Sequence, residues 1–313
     1  MKIQSSTVFL VGVLFVIGAL KAASLKVVNE TEFKRIFPAT ATVTELANDL
    51  RFAEGPVWIG GDQGFLVFSD IPANKLMQWV PGKGLSVFRE VSNNANGNTL
   101  DLQGRLLTAE HGARRVSLTR SDGSTMALLT EFEGKRLNSP NDVVVRSDGT
   151  LWFTDPDYGL RNRPKEQEGN FVYRYDPLTR ELKAVIRDFD KPNGLCFSPD
   201  ESLLYVADSG RPKHIRVFDV TAESVTNGRV FVKLDKGGPD GIRCDADGRI
   251  WSSSGDGAQV FMPAGILIAR IVLPKGGANL AFGGPQGRTL FITARNFLFS
   301  VETLVRDARP WSH

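Results

Sequence analysis

The sequence predicts an all-β protein folded as a six-bladed β-propeller. Six times along the 313 residues, a small polar or acidic residue stands just ahead of a hydrophobic segment, a turn and a second hydrophobic segment. We call these six residues the anchors, and they lie about 40 to 50 residues apart, a period typical of propeller blades. The anchors are Glu54, Asn96, Asn141, Asn193, Asp240 and Asn279.

Alternating hydrophobicity marks the individual strands. Residues 150–154, 203–207 and 289–293 alternate as second strands of blades, and residues 170–175 and 215–219 alternate as outer strands. Asp/Gly-rich turns such as 148–149 and 247–248 separate the inner strands. Helical periodicity is nearly absent after the first 24 residues, so the repeats form one domain over 25–313 without a linker.

The first 24 residues are predicted to be a signal peptide. Lys2 precedes an apolar run of about 13 residues, which is shorter than the roughly 20 needed to cross a bilayer. Ala22-Ala23-Ser24 then offers small residues for cleavage. We therefore expect a periplasmic or secreted protein, with an uncleaved anchor as the alternative. Residues 25–50 are a lead-in that holds one outer strand near 42–46.

Charge and composition argue against a nucleic-acid partner. Without the first 24 residues, which carry two lysines and no acid, 36 basic residues face 35 acidic ones. No basic stripe and no nucleic-acid motif is found. We also expect no stable membrane association once the signal peptide is removed.

The two cysteines, Cys196 and Cys244, are predicted to be buried free thiols. They lie three residues after Asn193 and four after Asp240, so simple alternation would place them on opposite sides of neighbouring blades. A disulfide, which export would permit, is the alternative.

A metal site is predicted where the anchors converge on the propeller axis. Asn and Asp at strand starts have a turn-forming explanation, but Glu54 is a poor turn residue and stands in register with them. Carboxylates brought together at an axis repel, and a cation between them compensates. The expected ligands are Glu54, Asn141, Asn193 and Asp240. Such an all-oxygen set favours Ca²⁺, with Mg²⁺, Mn²⁺ or Zn²⁺ as other occupants.

Other catalytic patterns are weak. The sequence has no G-x-S-x-G nucleophile elbow and no phosphate-binding G-x-G-x-x-G after a strand. His111 follows a strand end, where it either faces the pocket or decorates a turn. The long segment 155–169, which contains Tyr158, is either a lid over the site or a solvated excursion.

Six ordered motifs resemble the gluconolactonase/regucalcin (senescence marker protein) family. They are F-A-E-G-P-V-W at 52–58, L-N-S-P-N-D-V-V-V at 137–145, L-W-F-T-D-P at 151–156, P-N-G-L at 192–195, P-D-G-I at 239–242 and N-L-A-F-G-G at 279–284. The resemblance implies a six-bladed propeller with one divalent metal, usually calcium. It makes Glu54, Asn193 and Asp240 direct ligands, Asn141 a ligand or substrate contact, and Asp240 the acid/base residue.

One position departs from the regucalcin-like pattern. Those members carry R-x-N-D-G, with the arginine on the sugar lactone, whereas Ser139 stands at that place here. The run E-H-G-A-R-R-V at 110–116 is more similar to the bacterial gluconolactonase branch. The departure puts the sugar-lactone specificity in question and leaves the predicted metal site intact.

The predicted function is metal-assisted hydrolysis of a small-molecule lactone, such as gluconolactone. Asp240 would orient or deprotonate the attacking water, and Asn141, Asn279, Tyr158 and His111 are the predicted substrate contacts. The same scaffold also permits a phosphotriesterase-like hydrolase or a strictosidine-synthase-like enzyme. A non-catalytic, calcium-stabilised binding propeller is the alternative from a different class, since fold does not fix function.

Overall fold

The computed structural model describes residues 22–61 and 63–309. Most of the predicted signal peptide, residues 1–21, lies outside the described residues, so the prediction of export stays a prediction. Within the described part of the chain, no helix is long and apolar enough to cross a membrane.

The chain enters the domain through a short lead-in. Its elements are β1 (Ser24–Val27), α1 (Glu30–Ile36) and β2 (Thr44–Ala47). Helix α1 was not predicted from the sequence, because seven residues are too few for a helical period to be detected. The Asn29 side chain caps this helix by accepting a hydrogen bond from the Glu32 amide at 3.2 Å. Ile36 is buried against the outer part of the propeller.

The first three blades are four-stranded antiparallel sheets. Blade 1 consists of β3 (Ala53–Ile59), β4 (Phe65–Asp70), β5 (Lys75–Val80) and β6 (Gly84–Arg89). Blade 2 consists of β7 (Ala95–Leu100), β8 (Leu106–Glu110), β9 (Arg115–Thr119) and β10 (Thr125–Leu129). A small hairpin follows, made of β11 (Glu131–Phe132) and β12 (Lys135–Arg136). Blade 3 consists of β13 (Val143–Val145), β14 (Leu151–Asp155), β15 (Asn170–Asp176) and β16 (Glu181–Phe189).

The remaining three blades use both the rest of the chain and the lead-in strands. Blade 4 consists of β17 (Pro192–Phe197), β18 (Leu203–Asp208), β19 (His214–Val220) and β20 (Val225–Lys233). Blade 5 consists of β21 (Ile242–Cys244), β22 (Ile250–Ser254), β23 (Gly257–Phe261) and β24 (Leu267–Val272), with β1 as a fifth strand. Blade 6 consists of β25 (Asn279–Gly283), β26 (Thr289–Ala294) and β27 (Phe297–Glu302), with β2 as its outer strand. The predicted six-bladed propeller is confirmed.

The ring is closed by the lead-in. Strand β2 pairs antiparallel with β27, with Thr44 opposite Ser300, so the last blade contains strands from both ends of the domain. Near the other end of the chain, the Ala308 amide donates to the Cys244 carbonyl of blade 5. Arg309 Nη1 reaches Thr99 Oγ1 of blade 2 at 3.0 Å. These contacts tie together elements from distant parts of the sequence.

The hydrophobic core lies between the blades. Trp152 and Trp251 are fully buried, and each packs edge-on against a phenylalanine of the next blade, Phe197 and Phe282 respectively. Burial of a large apolar side chain stabilises the fold by about 2–3 kcal/mol. The alternating strands of the sequence therefore supply a continuous series of interfaces between blades.

Cys196 and Cys244 are both buried and unpaired, so the prediction of free thiols is confirmed. The expected opposite orientation also holds, because Cys196 faces blade 5 and Cys244 faces blade 4. Since these blades are adjacent, the two thiols belong to one hydrophobic cluster between them. Leu195 and Phe197, which flank Cys196, face the other way into the cluster between blades 3 and 4.

Candidate active site

The six anchors meet around the propeller axis, where backbone hydrogen bonds join one blade to the next. The Gly97 amide donates to the Asn141 carbonyl at 2.7 Å, and the Gly194 amide donates to the Asp240 carbonyl at 3.0 Å. The Gly241 amide donates to the Ala278 carbonyl at 2.8 Å. Anchors far apart in sequence are thus fixed side by side.

Glycines that follow the anchors permit this close approach. A Cβ at Gly97 would lie 2.6 Å from the Asn141 carbonyl oxygen, and a Cβ at Gly241 would overlap the Asn279 side chain. Both contacts would be closer than those that Cβ atoms make in real proteins. The repeated acid–Gly or Asn–Gly pair is therefore required by the packing of backbone against backbone at the axis.

A cavity of about 300 Å³ opens at this end of the axis, close to the lower limit of typical ligand pockets. It brings together six of the seven predicted site residues. The lining residues are Phe52, Glu54, Ile71, Asn96, His111, Asn141, Tyr158, Asn193, Ser209 and Asp240.

Two carboxylates enter the cavity from different blades. Glu54 is buried on β3, and Asp240 is partly buried just ahead of β21. Burial, followed by the negative charge of Asp240, raises the pKa of Glu54 well above its usual value. Burial and the charge of Asp142 raise the pKa of Asp240 to about 7. The cavity thus concentrates negative charge in a poorly solvated place.

The two predicted amide ligands are held by their surroundings. The Asn141 backbone amide donates to the Thr154 carbonyl at 2.8 Å, which fixes the residue just ahead of β13. Asn193 Nδ2 donates to Ser209 Oγ at 2.9 Å, and Ser209 in turn donates to the Pro239 carbonyl at 2.5 Å. This chain of bonds links Asn193 of blade 4 to the residue that precedes Asp240.

Asn279, the seventh predicted site residue, does not line the cavity. Its amide hydrogen bond opposes the rise in the pKa of Glu54, and its Nδ2 lies 3.5 Å from Asp142 Oδ2. Asp142 is fully buried, and Arg243 Nη1 lies 3.7 Å from its carboxylate. Asn279, Asp142 and Arg243 therefore form a second layer of polar and charged groups next to the residues that line the cavity.

His111 lines the cavity and is buried. Its Nε2 lies 3.4 Å from Asn96 Nδ2. Burial and the positive charges of Arg163 and Arg161 lower the pKa of His111 to about 4. The imidazole is consequently neutral at neutral pH and serves as a hydrogen-bonding group rather than as an acid.

The segment 155–169 contributes Tyr158 to the lining of the cavity. It contains a single 3₁₀ turn at Tyr158–Leu160, and Tyr158 is 42% exposed at the mouth. Ser139 Oγ donates to the Pro156 carbonyl at 2.5 Å and accepts from the Gly159 amide at 2.9 Å. Burial and the charge of Asp240 raise the pKa of Tyr158, so the phenol is protonated. Of the two interpretations of this segment, its contacts favour a cover over the site.

A family model with the description "SMP-30/Gluconolactonase/LRE-like region" matches residues 52–296, most of the chain. The chain belongs to this family. A gluconolactonase from Zymomonas mobilis is 32% identical over 301 residues, covering 86% of this chain and 83% of that protein. A 6-deoxy-6-sulfogluconolactonase from Pseudomonas putida is 29% identical, covering 80% of this chain and 86% of that protein.

The fold of the family is shared by solved structures. The structure of a gluconolactonase from Xanthomonas campestris superposes with a TM-score of 0.84 at 32% identity, covering 92% of this chain and 99% of that one. The resemblance that the sequence motifs indicated is confirmed by the family model and by these relatives.

Several residues near the site were not predicted. Asp142 directly follows Asn141, and the P-N-D motif was a signal that could have found it. Ser209 and Ile71 lie at strand ends without a motif, and Arg163 lies in the irregular segment 155–169. Hydrophobic periodicity carries no information about Ile71, Ser209 and Arg163, because they belong to loops between the second and third strands of a blade.

Proposed function

We propose that this protein is a metal-dependent lactonase that opens the ring of a sugar lactone. The carrying observation is the convergence of Glu54, Asn141, Asn193 and Asp240 in one cavity of the propeller. The related gluconolactonases support lactone hydrolysis as the reaction, because they match nearly the whole propeller rather than a fragment.

The residues of the cavity fit a divalent cation. Within the described residues, Glu54 and Asp240 form no ion pair with lysine, arginine or histidine. Two clustered carboxylates without a cationic partner are strongly disfavoured unless a cation joins them. With the amide oxygens of Asn141 and Asn193 the donor set is all oxygen, which suits Ca²⁺ best and also suits Mg²⁺ or Mn²⁺.

The chemistry divides between the ion and the side chains. A bound dication supplies positive charge that stabilises the oxygen on which negative charge develops as the ring carbonyl is attacked. Asp240 orients the attacking water and accepts its proton, since its carboxylate lies in the same cavity as the ligand amides. Removal of one such group typically lowers a rate by about 10²- to 10⁴-fold.

The neutral side chains orient the substrate. Asn141, neutral His111 and the protonated phenol of Tyr158 offer hydrogen bonds to hydroxyl and carbonyl oxygens of a sugar lactone. Asn279 stabilises the Glu54 carboxylate through a side-chain hydrogen bond. We propose that it positions Glu54 in this way and does not contact the substrate directly.

Export of the protein is part of the proposal. Strand β1 begins at Ser24, paired with Val272, so removal of the predicted signal peptide 1–24 would shorten β1 by one residue and leave its pairing from Leu25 to Val27 in place. Sequencing the N-terminus of the protein recovered from the periplasm or medium tests this. A protein that keeps residue 1 and is found in the cytosol would contradict export, and one that keeps residue 1 in the membrane fraction would indicate the uncleaved anchor.

The function is tested with protein stripped by a chelator and reloaded with Ca²⁺, Mg²⁺, Mn²⁺ or Zn²⁺. Proton release is followed on glucono-δ-lactone, a simple γ-lactone and paraoxon. We expect lactone turnover that needs the metal and falls by at least about 100-fold in Asp240→Asn.

The other outcomes discriminate the alternatives. Turnover of paraoxon without lactone turnover would indicate a phosphotriesterase. A calcium-dependent rise in melting temperature without any turnover would indicate a binding propeller. Full activity of Asp240→Asn with its metal bound would remove Asp240 from the mechanism.

A further inference from the structure

A second cavity of about 530 Å³ adjoins the candidate active site. It shares Ile71, His111 and Tyr158 with the first cavity, so the two are contiguous. Its other lining residues are Asn94, Gly112, Gly159, Leu160, Arg161, Asn162 and Arg163. The site therefore extends from a carboxylate-rich end at the axis to an arginine-containing end formed by segment 155–169, where Arg161 is exposed.

Arg161 is held in an unfavourable backbone conformation at this second cavity. Its φ of 53° and ψ of −112° fall in a region that suits glycine, and L-residues occupy it at a cost. Such strain persists at functional sites, where the side chain has a use. Across residues 22–61 and 63–309, the guanidinium of Arg161 has no hydrogen bond and no ion pair.

Arg163 provides a second positive charge without a carboxylate. Its guanidinium donates to the carbonyls of His111 at 2.7 Å, Gly112 at 2.6 Å and Gly159 at 2.6 Å. These contacts fix the group but leave its charge uncompensated. The positive charges of Arg163 and Arg161 also act on His111, where they add to the effect of burial in lowering the pKa of the imidazole.

The acidic residues of the segment are engaged elsewhere. Glu166 pairs with Arg114 at 3.0 Å and accepts from the Arg136 amide at 3.0 Å. Asp157 pairs with Lys191, and Lys165 lies 3.7 Å from it. The positive charge of the second cavity is thus available to a ligand.

We propose that the second cavity binds an anionic oxygen group of the substrate, a phosphate, sulfonate or carboxylate, at the end remote from the lactone carbonyl. Arg161 forms the direct contact, since its planar fork matches such groups, and Arg163 supplies a fixed positive charge. This inference rests on the proposed function only in that the substrate is taken to contain a lactone ring. The preference for an anionic sugar is a separate property of the site.

Binding is measured first with glucose and glucose 6-phosphate, by calorimetry on calcium-loaded protein. Neither sugar has a lactone bond, so the comparison does not require turnover. We expect glucose 6-phosphate to bind about 10- to 100-fold more tightly than glucose, the range of a charge-assisted hydrogen bond. In Arg161→Gly, which keeps the backbone conformation without the side chain, this preference falls to less than about threefold.

The matched control is Arg180→Gly. Arg180 also has a positive φ, of 61°, and is exposed on the turn between β15 and β16. It lies outside both cavities. We expect Arg180→Gly to keep the wild-type preference, and Arg161→Lys to retain part of it.

Steady-state kinetics then test whether Arg161 also favours the anionic lactone over the neutral lactone as a substrate. The ratio of kcat/KM for 6-phosphogluconolactone to that for gluconolactone should fall at least about tenfold in Arg161→Gly, through KM. Sulfonated and uronic lactones distinguish the three anionic groups. An equal loss on neutral and anionic lactones, or equal binding of the two sugars by the wild type, would overturn the proposal. Preference for glucose 6-phosphate without any lactone turnover would uphold it and contradict the lactonase function instead.

Discussion

Burial, and after it the carboxylate of Asp240 brought from blade 5, raise the pKa of Glu54 on blade 1 within one cavity. The two residues are 186 positions apart in sequence and meet because the ring of blades closes. Their repulsion is a cost in the metal-free protein and an attraction for a dication. This relationship gives opposite effects of the same substitution with and without metal.

Neutralising either carboxylate should stabilise the metal-free protein while removing its response to calcium. In chelator, Glu54→Gln is expected to melt at or above the temperature of the wild type, since it removes a buried carboxyl whose ionised form is disfavoured beside Asp240. With calcium at 100 times its Kd the wild type gains about 2.7 kcal/mol, and the variant gains little. Differential scanning fluorimetry with and without calcium measures both effects.

The control for this experiment is Glu131→Gln, an exposed glutamate on β11. It should leave both melting temperatures unchanged. A calcium-induced rise in Glu54→Gln as large as that of the wild type would contradict Glu54 as a ligand.

Gly241→Ala should separate the blades at the axis. The added methyl group would overlap the Asn279 side chain, and overpacking of this kind typically costs about 1–3 kcal/mol. Because Gly241 adjoins Asp240, lactone turnover should fall together with the free energy of unfolding. Urea denaturation and the lactone assay measure the two quantities.

Gly61→Ala is the matched control, because no atom lies within 4 Å of a Cβ added there. It should keep both stability and turnover. If Gly241→Ala behaved like Gly61→Ala, close approach of blades 5 and 6 would not be what requires the glycine.

The repeat made the propeller and the convergence of its anchors predictable from sequence. An anchor such as Asn193 recurs at a fixed place in every blade, and closure of the ring then determines which anchors become neighbours. The role of Arg161 was not predictable, because it depends on the path of an irregular segment. Ring closure through β2 also lacked a signal, since an isolated edge strand resembles any other. The repeat pattern therefore predicts the blades and their anchors, whereas substrate specificity depends on segments that do not repeat, such as 155–169.

Asp155 should make stability depend on pH. It is fully buried at the end of β14, and its Oδ1 has no hydrogen-bond partner among the described residues. Burial raises its pKa to about 7, well above the value of an unfolded aspartate. The folded state therefore binds the extra proton, and stability from this group is fully present below about pH 4 and is lost as the pH rises through 7.

Asp155→Asn removes this dependence. Its stability relative to the wild type should increase between pH 5 and pH 8, by at most about 3 kcal/mol. Urea denaturation at several pH values measures the change, with exposed Asp122→Asn as the control. A constant difference between Asp155→Asn and the wild type across this range would show that Asp155 is ionised throughout.

Ser139→Ala should loosen the cover of the active site. The Ser139 hydroxyl bonds both the Pro156 carbonyl and the Gly159 amide, so its loss frees the segment that positions Tyr158. Loss of a buried hydrogen-bonding partner costs about 1–3 kcal/mol locally. We expect a KM for lactone that rises about 5- to 50-fold, with a smaller change in kcat, because the segment orients substrate rather than reacting with it.

Local opening distinguishes this role from a general loss of stability. Amide hydrogen exchange in 156–163 should accelerate in Ser139→Ala, while exchange in the blade strands stays at the wild-type rate. Ser147→Ala, which removes a hydroxyl bonded to Glu201 on the exposed surface, is the control and should change neither exchange in this segment nor KM. If the KM of Ser139→Ala equalled that of the wild type while exchange in 156–163 increased, the segment would be a cover that does not contribute to substrate binding.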